Sequence, residues 1–155
     1  MLIRLLAIGN KMPVWVEQGF ADYAKRFPPS CHLELVEISA SKRTKNSVDK
    51  QLIEQEGNKL LTAIKPGNHI IALEIKGQMW STEQLAAHLK NWQAGRRNID
   101  LLVGGPDGLS DSCLQKAETK WSLSPLTLPH PLVRILIAEQ LYRAVSILQK
   151  HPYHR

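Results

Sequence analysis

Apolar positions along this chain fall into two rhythms. Leu2–Ile8 is a short apolar run closed by Gly9, the pattern of a strand buried on both faces. Val14–Phe27 switches to helical spacing, with Val16, Phe20, Tyr23, Ala24 and Phe27 on one side and Pro28-Pro29 as the stop. His32–Ile38 alternates Leu33, Leu35 and Ile38 against His32, Glu34 and Glu37, which predicts a second strand. After a polar loop, Ser39–Asn46, helices are predicted over Ser47–Ile64 and Ser81–Trp92, the second opened by the capping signal Ser81-Thr-Glu-Gln84. Strands are predicted over Ile70–Ile75 and Ile99–Val103, a short helix over Ser110–Lys120 and an irregular or strand-like stretch over Trp121–Leu128. Pro131–Gln149 reads as a long final helix, and His151–Arg155 as a tail. Strands alternating with helices predict a parallel sheet covered on both faces, a three-layer α/β fold. No repeat, low-complexity tract or linker divides it, so residues 1–155 are read as a single domain.

The final helix departs from the amphipathic norm. From Leu132 to Leu148 its apolar residues cover most of the circumference, more than one stripe against a sheet requires. Deep burial is one explanation. A second contact face, and hence a homodimer, is the favoured one, since a final helix usually lies on the outside of such a sheet.

Composition narrows the function classes. Hydrophobic residues are 43% and charged residues 22%, as in a globular protein. No run of about 18 apolar residues predicts a membrane span. The opening apolar stretch, interrupted by Arg4, reads as a strand rather than a signal peptide, which with two lone cysteines, Cys31 and Cys113, suggests a cytoplasmic protein with free thiols. A net charge of +6 suits an anionic partner such as RNA without specifying one. There is no Walker A loop, dinucleotide fingerprint or nucleophile elbow, and the scattered histidines form no metal-ligand pattern.

Three segments remain, each near the C-terminal end of a predicted strand, where open α/β sheets place ligands. They are Ile70–Ile75 with Lys76-Gly77, the glycine loop Gly104-Gly-Pro-Asp-Gly108, and Trp121-Ser-Leu-Ser-Pro-Leu-Thr-Leu-Pro-His-Pro131. Gly104 and Gly105 expose backbone to a ligand, and Gly108 suits a positive φ; a tight turn would ask for the same glycines. Leu123–Leu128 mixes apolar side chains with unpaired backbone, a combination suited to an adenine.

Together with these blocks, Gly9-Asn-Lys-Met-Pro13, Glu139-Gln-Leu-Tyr-Arg143 and the terminal His151-Pro-Tyr-His-Arg155 resemble the family of ribosomal RNA large subunit methyltransferase H, over the whole chain and in order. The family is of the SPOUT class. The resemblance implies a C-terminal trefoil knot, S-adenosylmethionine as cofactor with S-adenosylhomocysteine as product, no metal, and a homodimer acting within the assembled ribosome. Its reaction there is methylation of N3 of a large-subunit (23S) rRNA pseudouridine. Position by position, it assigns the cofactor to Leu73, Gly104, Leu123, Ser124, Pro125, Leu126, Thr127 and Leu128. It assigns the target side to Arg143, Tyr153, His154 and Arg155.

Chemically, methyl transfer from a sulfonium asks for positioning and for loss of the imide proton. Arg143 or Arg155 would favour the deprotonated base, and His154 could accept the proton. For Arg143 an i,i+4 salt bridge to Glu139 is the plainer alternative. Lys42, Arg43 and Lys45 are expected to meet RNA phosphates, or else to be solvated charges. Two other functions compete: a methyltransferase of the same class acting on tRNA, and a non-catalytic ribosome-associated RNA-binding protein.

Overall fold

The structure, a computed structural model, describes residues 1–155. Five parallel strands form one sheet in the order β2-β1-β4-β3-β5. In chain order the elements are β1 (Leu2–Ile8), α1 (Val14–Ala24), β2 (His32–Ile38), α2 (Asp49–Ala63), β3 (His69–Met79), α3 (Thr82–Ala94), β4 (Ile99–Val103), α4 (Asp111–Lys116), β5 (Thr119–Ser122) and α5 (His130–Leu148). A 3-10 turn, Pro152–His154, ends the chain.

The expected three layers are present, and they are unequal. Alternate strand residues sort the core: Ile3, Leu5, Ile99, Leu101 and Val103 join the larger cluster with α1, α3 and α5. Leu6, Ile8 and Leu102 face the smaller one, with α2 and α4. One ion pair is buried in the sheet. Arg4 on β1 meets Asp100 on β4 at 2.8 Å, and Asp100 also accepts the Lys65 amide at 2.9 Å. Removing either partner would strand a buried charge, a loss of about 3–5 kcal/mol.

Three helix or strand ends differ from the sequence reading by more than two residues. α1 stops at Ala24, because Arg26 donates to the Asp22 carbonyl and Phe27 turns into the core. The short helix α4 stops at Lys116 rather than Lys120, because Thr119–Ser122 pairs with β3 as a fifth strand. β3 runs on to Met79 through an irregularity: Leu73 and Gln78 both pair with Trp121, so Glu74–Gly77 bulge out between them.

α5 packs against both α1 and α3. Ile137, Ala138, Leu141, Ala144 and Val145 are enclosed, so deep burial absorbs most of its apolar excess. Leu132 and Leu136 stay outside, 42% and 39% exposed. α1 lies along α5 in the same direction: Gly19 sits against Ile135, and Arg26 over Tyr142. That register brings the exposed Val14 and Trp15 level with the first turn of α5.

Candidate functional site

Because every strand is parallel, β1, β3, β4 and β5 deliver their following segments to one edge. There the glycine loop leaves β4 and makes a tight turn, with the Gly108 amide bonded to the Gly105 carbonyl at 3.0 Å and Gly108 at φ +85°. Gly104 is required by the loop itself, since a Cβ there would lie 2.5 Å from the Gly108 carbonyl carbon. On the facing wall, Ser124 Oγ accepts from the Leu126 amide at 3.0 Å, and Ser122 donates to the Ser124 carbonyl at 3.2 Å. These local bonds hold residues 123–128 open, leaving Leu126 72% exposed.

Between the two walls lies a cavity of about 340 Å³. Of the eight residues expected at a cofactor, all except Pro125 line it. Half of its 16 lining residues are hydrophobic. That mixture suits a ligand with a flat apolar part and a polar remainder, and the volume is within the usual range for small-molecule sites. The donor set therefore fits an adenosyl group.

Four further residues line it that the resemblance does not assign to the cofactor: Glu74 and Ile75, swung inward by the β3 bulge, and His130 and Val133 on the first turn of α5. His130 had been one scattered histidine among six. Burial, then the neighbouring Arg134, pushes its pKa below 6.5. As a neutral imidazole it can accept from Arg134 Nη2, which lies 3.4 Å from its Nε2. Arg134 beneath it is 1% exposed and donates to Glu37 at 2.8 Å and to the Gly9 carbonyl at 2.7 Å.

The expected target-side residues gather elsewhere, at the far end of α5. Arg143 Nε donates to Glu139 Oε1 at 2.8 Å, so the i,i+4 pair does form. The same oxygen accepts the Tyr153 hydroxyl at 3.1 Å, and the Arg143 guanidinium lies 5.0 Å from the Tyr153 ring centre. Burial, with Tyr23 and Glu139 alongside, raises the Tyr153 pKa to about 12, so it remains a phenol and a donor. The tail is folded. Lys150 turns to φ +57°, the His151 amide returns to the Ser146 carbonyl at 2.8 Å, and His151 Nδ1 accepts from the Tyr153 amide at 3.2 Å. His154 Nδ1 is buried without a partner, and Arg155 is exposed.

Arg143 and the cavity are not brought together within one chain. His130 and Arg143 are about 20 Å apart along α5 at the helical rise of 1.5 Å per residue. The basic loop also divides: Arg43 is held by Glu56 and Asp107, whereas Lys42 and Lys45 are exposed and form no ion pair. Neither cysteine offers a thiolate; burial raises Cys31 to about 11, and Cys113 is raised by the same cause. No group of three or more His, Cys, Asp or Glu residues is placed to hold a metal ion, and no helix is long and apolar enough to cross a membrane.

A parallel sheet with loops folded into a cavity at its carboxyl edge, beneath a final helix, is the arrangement of one methyltransferase class, and the chain belongs to it: the family described as "Predicted SPOUT methyltransferase" matches residues 1–154. Among particular relatives, a protein of Hahella chejuensis is 54% identical over 155 residues, spanning 100% of this chain and 99% of that one. A protein of Azotobacter vinelandii is likewise 54% identical, spanning 100% of both. Both bear the name Ribosomal RNA large subunit methyltransferase H. Among solved structures, a probable methylase family protein from Haemophilus influenzae is similar at TM-score 0.58 and 13% identity, over 99% of this chain and 70% of that one. TrmJ from Z. mobilis is similar at TM-score 0.50 and 15% identity, over 92% and 68%. At those identities the likeness is one of fold.

Proposed function

We propose that this chain methylates N3 of a pseudouridine in large-subunit ribosomal RNA, on assembled ribosomes in the cytoplasm, with S-adenosylmethionine as donor. The full-length likeness to relatives named for large-subunit rRNA is the observation that carries this reading. The cavity supports the cofactor assignment: residues 123–128 offer backbone groups and an apolar slot for adenine, and Gly104 and Leu73 close the opposite side. When bound, the cofactor supplies an electrophilic methyl group whose leaving group is a neutral thioether.

The remaining work falls to side chains of the second cluster. Tyr153 presents a ring on which a base can stack. Arg143 and Arg155 place fixed cations where they favour loss of the N3 proton. His154 is the candidate acceptor of that proton. Since α5 holds this cluster about 20 Å from the cavity of its own chain, we assign it to the cavity of a second copy, with Leu132 and Leu136, flanked by Val14 and Trp15, as the apolar contact. The trefoil knot is part of the same reading. Its support is that the chain leaves the edge strand β5 and then returns as α5 to pack against α1 and α3.

The test is methyl incorporation from labelled S-adenosylmethionine into intact ribosomes, free subunits and bulk tRNA, with mapping of the modified base. Label at one pseudouridine of the large-subunit RNA, from intact ribosomes alone, is the expected result. Label in tRNA, or none despite cofactor binding, would overturn it.

A further inference from the structure

We propose that Arg43 is a positioning residue for the glycine loop, holding it from behind through Glu56 and Asp107 so that its other face is set for the cofactor. The proposal rests on the cavity being the cofactor site.

The glycine loop has two faces. Gly104, Gly105, Pro106 and Gly108 line the cavity. On the opposite side stands Glu56 of α2, a carboxylate in a residue 2% exposed. Its Oε2 accepts the Ser41 amide at 3.2 Å, and its Oε1 accepts from Arg43 Nη2 at 3.0 Å. It lies directly behind the loop, because a Cβ built on Gly105 would come within 3.2 Å of Oε1. Arg43 then reaches past Glu56 to the tip of the turn. Its Nη2 and Nε donate to Asp107 Oδ2 at 2.9 and 3.3 Å, and its Nη1 donates to the Ser41 carbonyl at 3.3 Å. One guanidinium thus ties the exposed tip of a glycine-rich turn to a carboxylate fixed in a helix. Its planar fork of donors fits such a task better than the single point charge of lysine.

The turn would otherwise be mobile. Three of the five residues from Gly104 to Gly108 are glycine, with the widest backbone freedom of any residue. A loop that must be ordered on binding lowers apparent affinity by the fraction of time it is competent. The brace raises that fraction before the cofactor arrives. The geometry also withdraws Arg43 from the role expected of it in the sequence, that of a free phosphate contact beside Lys42 and Lys45.

Arg43 and Asp107 suit mutation, since each side chain is 32% exposed and neither fills the core. In calorimetry on the full-length protein, Arg43→Ala and Asp107→Ala are each expected to weaken S-adenosylmethionine and S-adenosylhomocysteine binding about tenfold. The double variant should be no weaker than Arg43→Ala, because both remove one connection. In the methyl-transfer assay the KM for the cofactor should rise while kcat at saturating cofactor holds. Arg43→Lys should restore affinity only in part. Unchanged cofactor affinity in both single variants, with Gly104→Val unable to bind, would overturn the brace and leave the cavity standing. Unchanged affinity in Gly104→Val as well would remove the cavity and the brace with it. A loss of ribosome binding in Arg43→Ala with normal cofactor titration would return Arg43 to the RNA.

Discussion

The two ends of α5 are built on opposite plans. At its N-terminal end the cavity is mostly backbone and apolar surface, delivered by parallel strands to one edge; Glu74 and His130 are its only ionisable lining residues. At its C-terminal end the cluster is almost wholly side chain: Glu139, Arg143 and Tyr153, with Tyr23 of α1 and Arg26 just beyond that helix against them. The first arrangement can hold a ligand and has little with which to move a proton. The second has cations, a phenol and an imidazole but encloses no comparable cavity. α5 keeps the two apart, and the composite site proposed above joins them by setting the cluster of one chain against the cavity of a second.

The largest effects should come from disabling the halves one at a time. Ending the chain after Pro152 is expected to leave cofactor binding intact and to cut methyl transfer to ribosomes by about 100-fold or more. Gly104→Val should do the converse and lose cofactor binding in a folded protein, since any side chain there meets the Gly108 backbone. Mixing the two variants sharpens the comparison. If each tail serves its neighbour, half of the sites in a mixed dimer are whole and activity returns. No recovery in verified mixed dimers would put both halves of the reaction in one chain.

Breaking the contact between copies should rank next. Ile137 and Leu141 are poor places to do so, as they are 0% and 2% exposed and a glutamate there would unfold the core. Leu136→Glu is the informative change. It should give a folded monomer that binds cofactor and transfers almost no methyl, as read by sedimentation beside the activity assay. A wild-type chain that sediments as a monomer would end the composite-site reading.

The cavity was far more legible in the sequence than the cluster, for a physical reason. Strands β1, β2 and β4 could be placed to the residue because apolar runs and glycine stops are local signals. The three segments that hold Leu73, Gly104 and residues 123–128 stood out by their place at predicted strand ends, and the resemblance assigned those positions to the cofactor. At Gly104 the structure bears out the tight-turn alternative, since a Cβ there would meet the Gly108 backbone of its own loop. α4 ends short of the predicted Lys120 because β5 exists only through its pairing with β3, which local periodicity does not register. His130 lay in a candidate segment without a role of its own, Glu139 stood only as a partner for Arg143, and Glu56 had no signature. Each matters through partners far along the chain or through a shared oxygen atom, and a lone charged residue on a helix looks the same whether solvated or engaged.

A smaller effect should separate RNA contacts from both halves. With Arg43 engaged, only Lys42 and Lys45 of the basic loop remain free to meet phosphates. Neutralising both should weaken ribosome binding and lower the slope of log affinity against log salt by roughly 1.5 to 2. Cofactor titration should stay as in the wild type. An unaltered slope would leave these lysines as solvated charge.

The finest distinction concerns protons, and it lies in the cavity rather than in the tail. His130 is held neutral by burial and by Arg134, with its pKa below the ordinary 6.5, while Glu56 and the backbone of Ile8 and Gly104 pull weakly the other way. Its contribution to stability is therefore complete above pH 6.5 and is lost as pH falls from there through the folded value, because the unfolded chain takes up the proton more readily. Protonation would also set a cation beside Arg134 in the lining of the cavity. Cofactor affinity should accordingly weaken a few-fold between about pH 7 and pH 5.5. His130→Gln keeps a polar side chain of similar reach and cannot titrate, so its affinity should be flatter over that range. The other five histidines are common to both proteins, and the difference between the two curves isolates His130. Coincident curves would show that His130 takes no part in the pH dependence of cofactor binding.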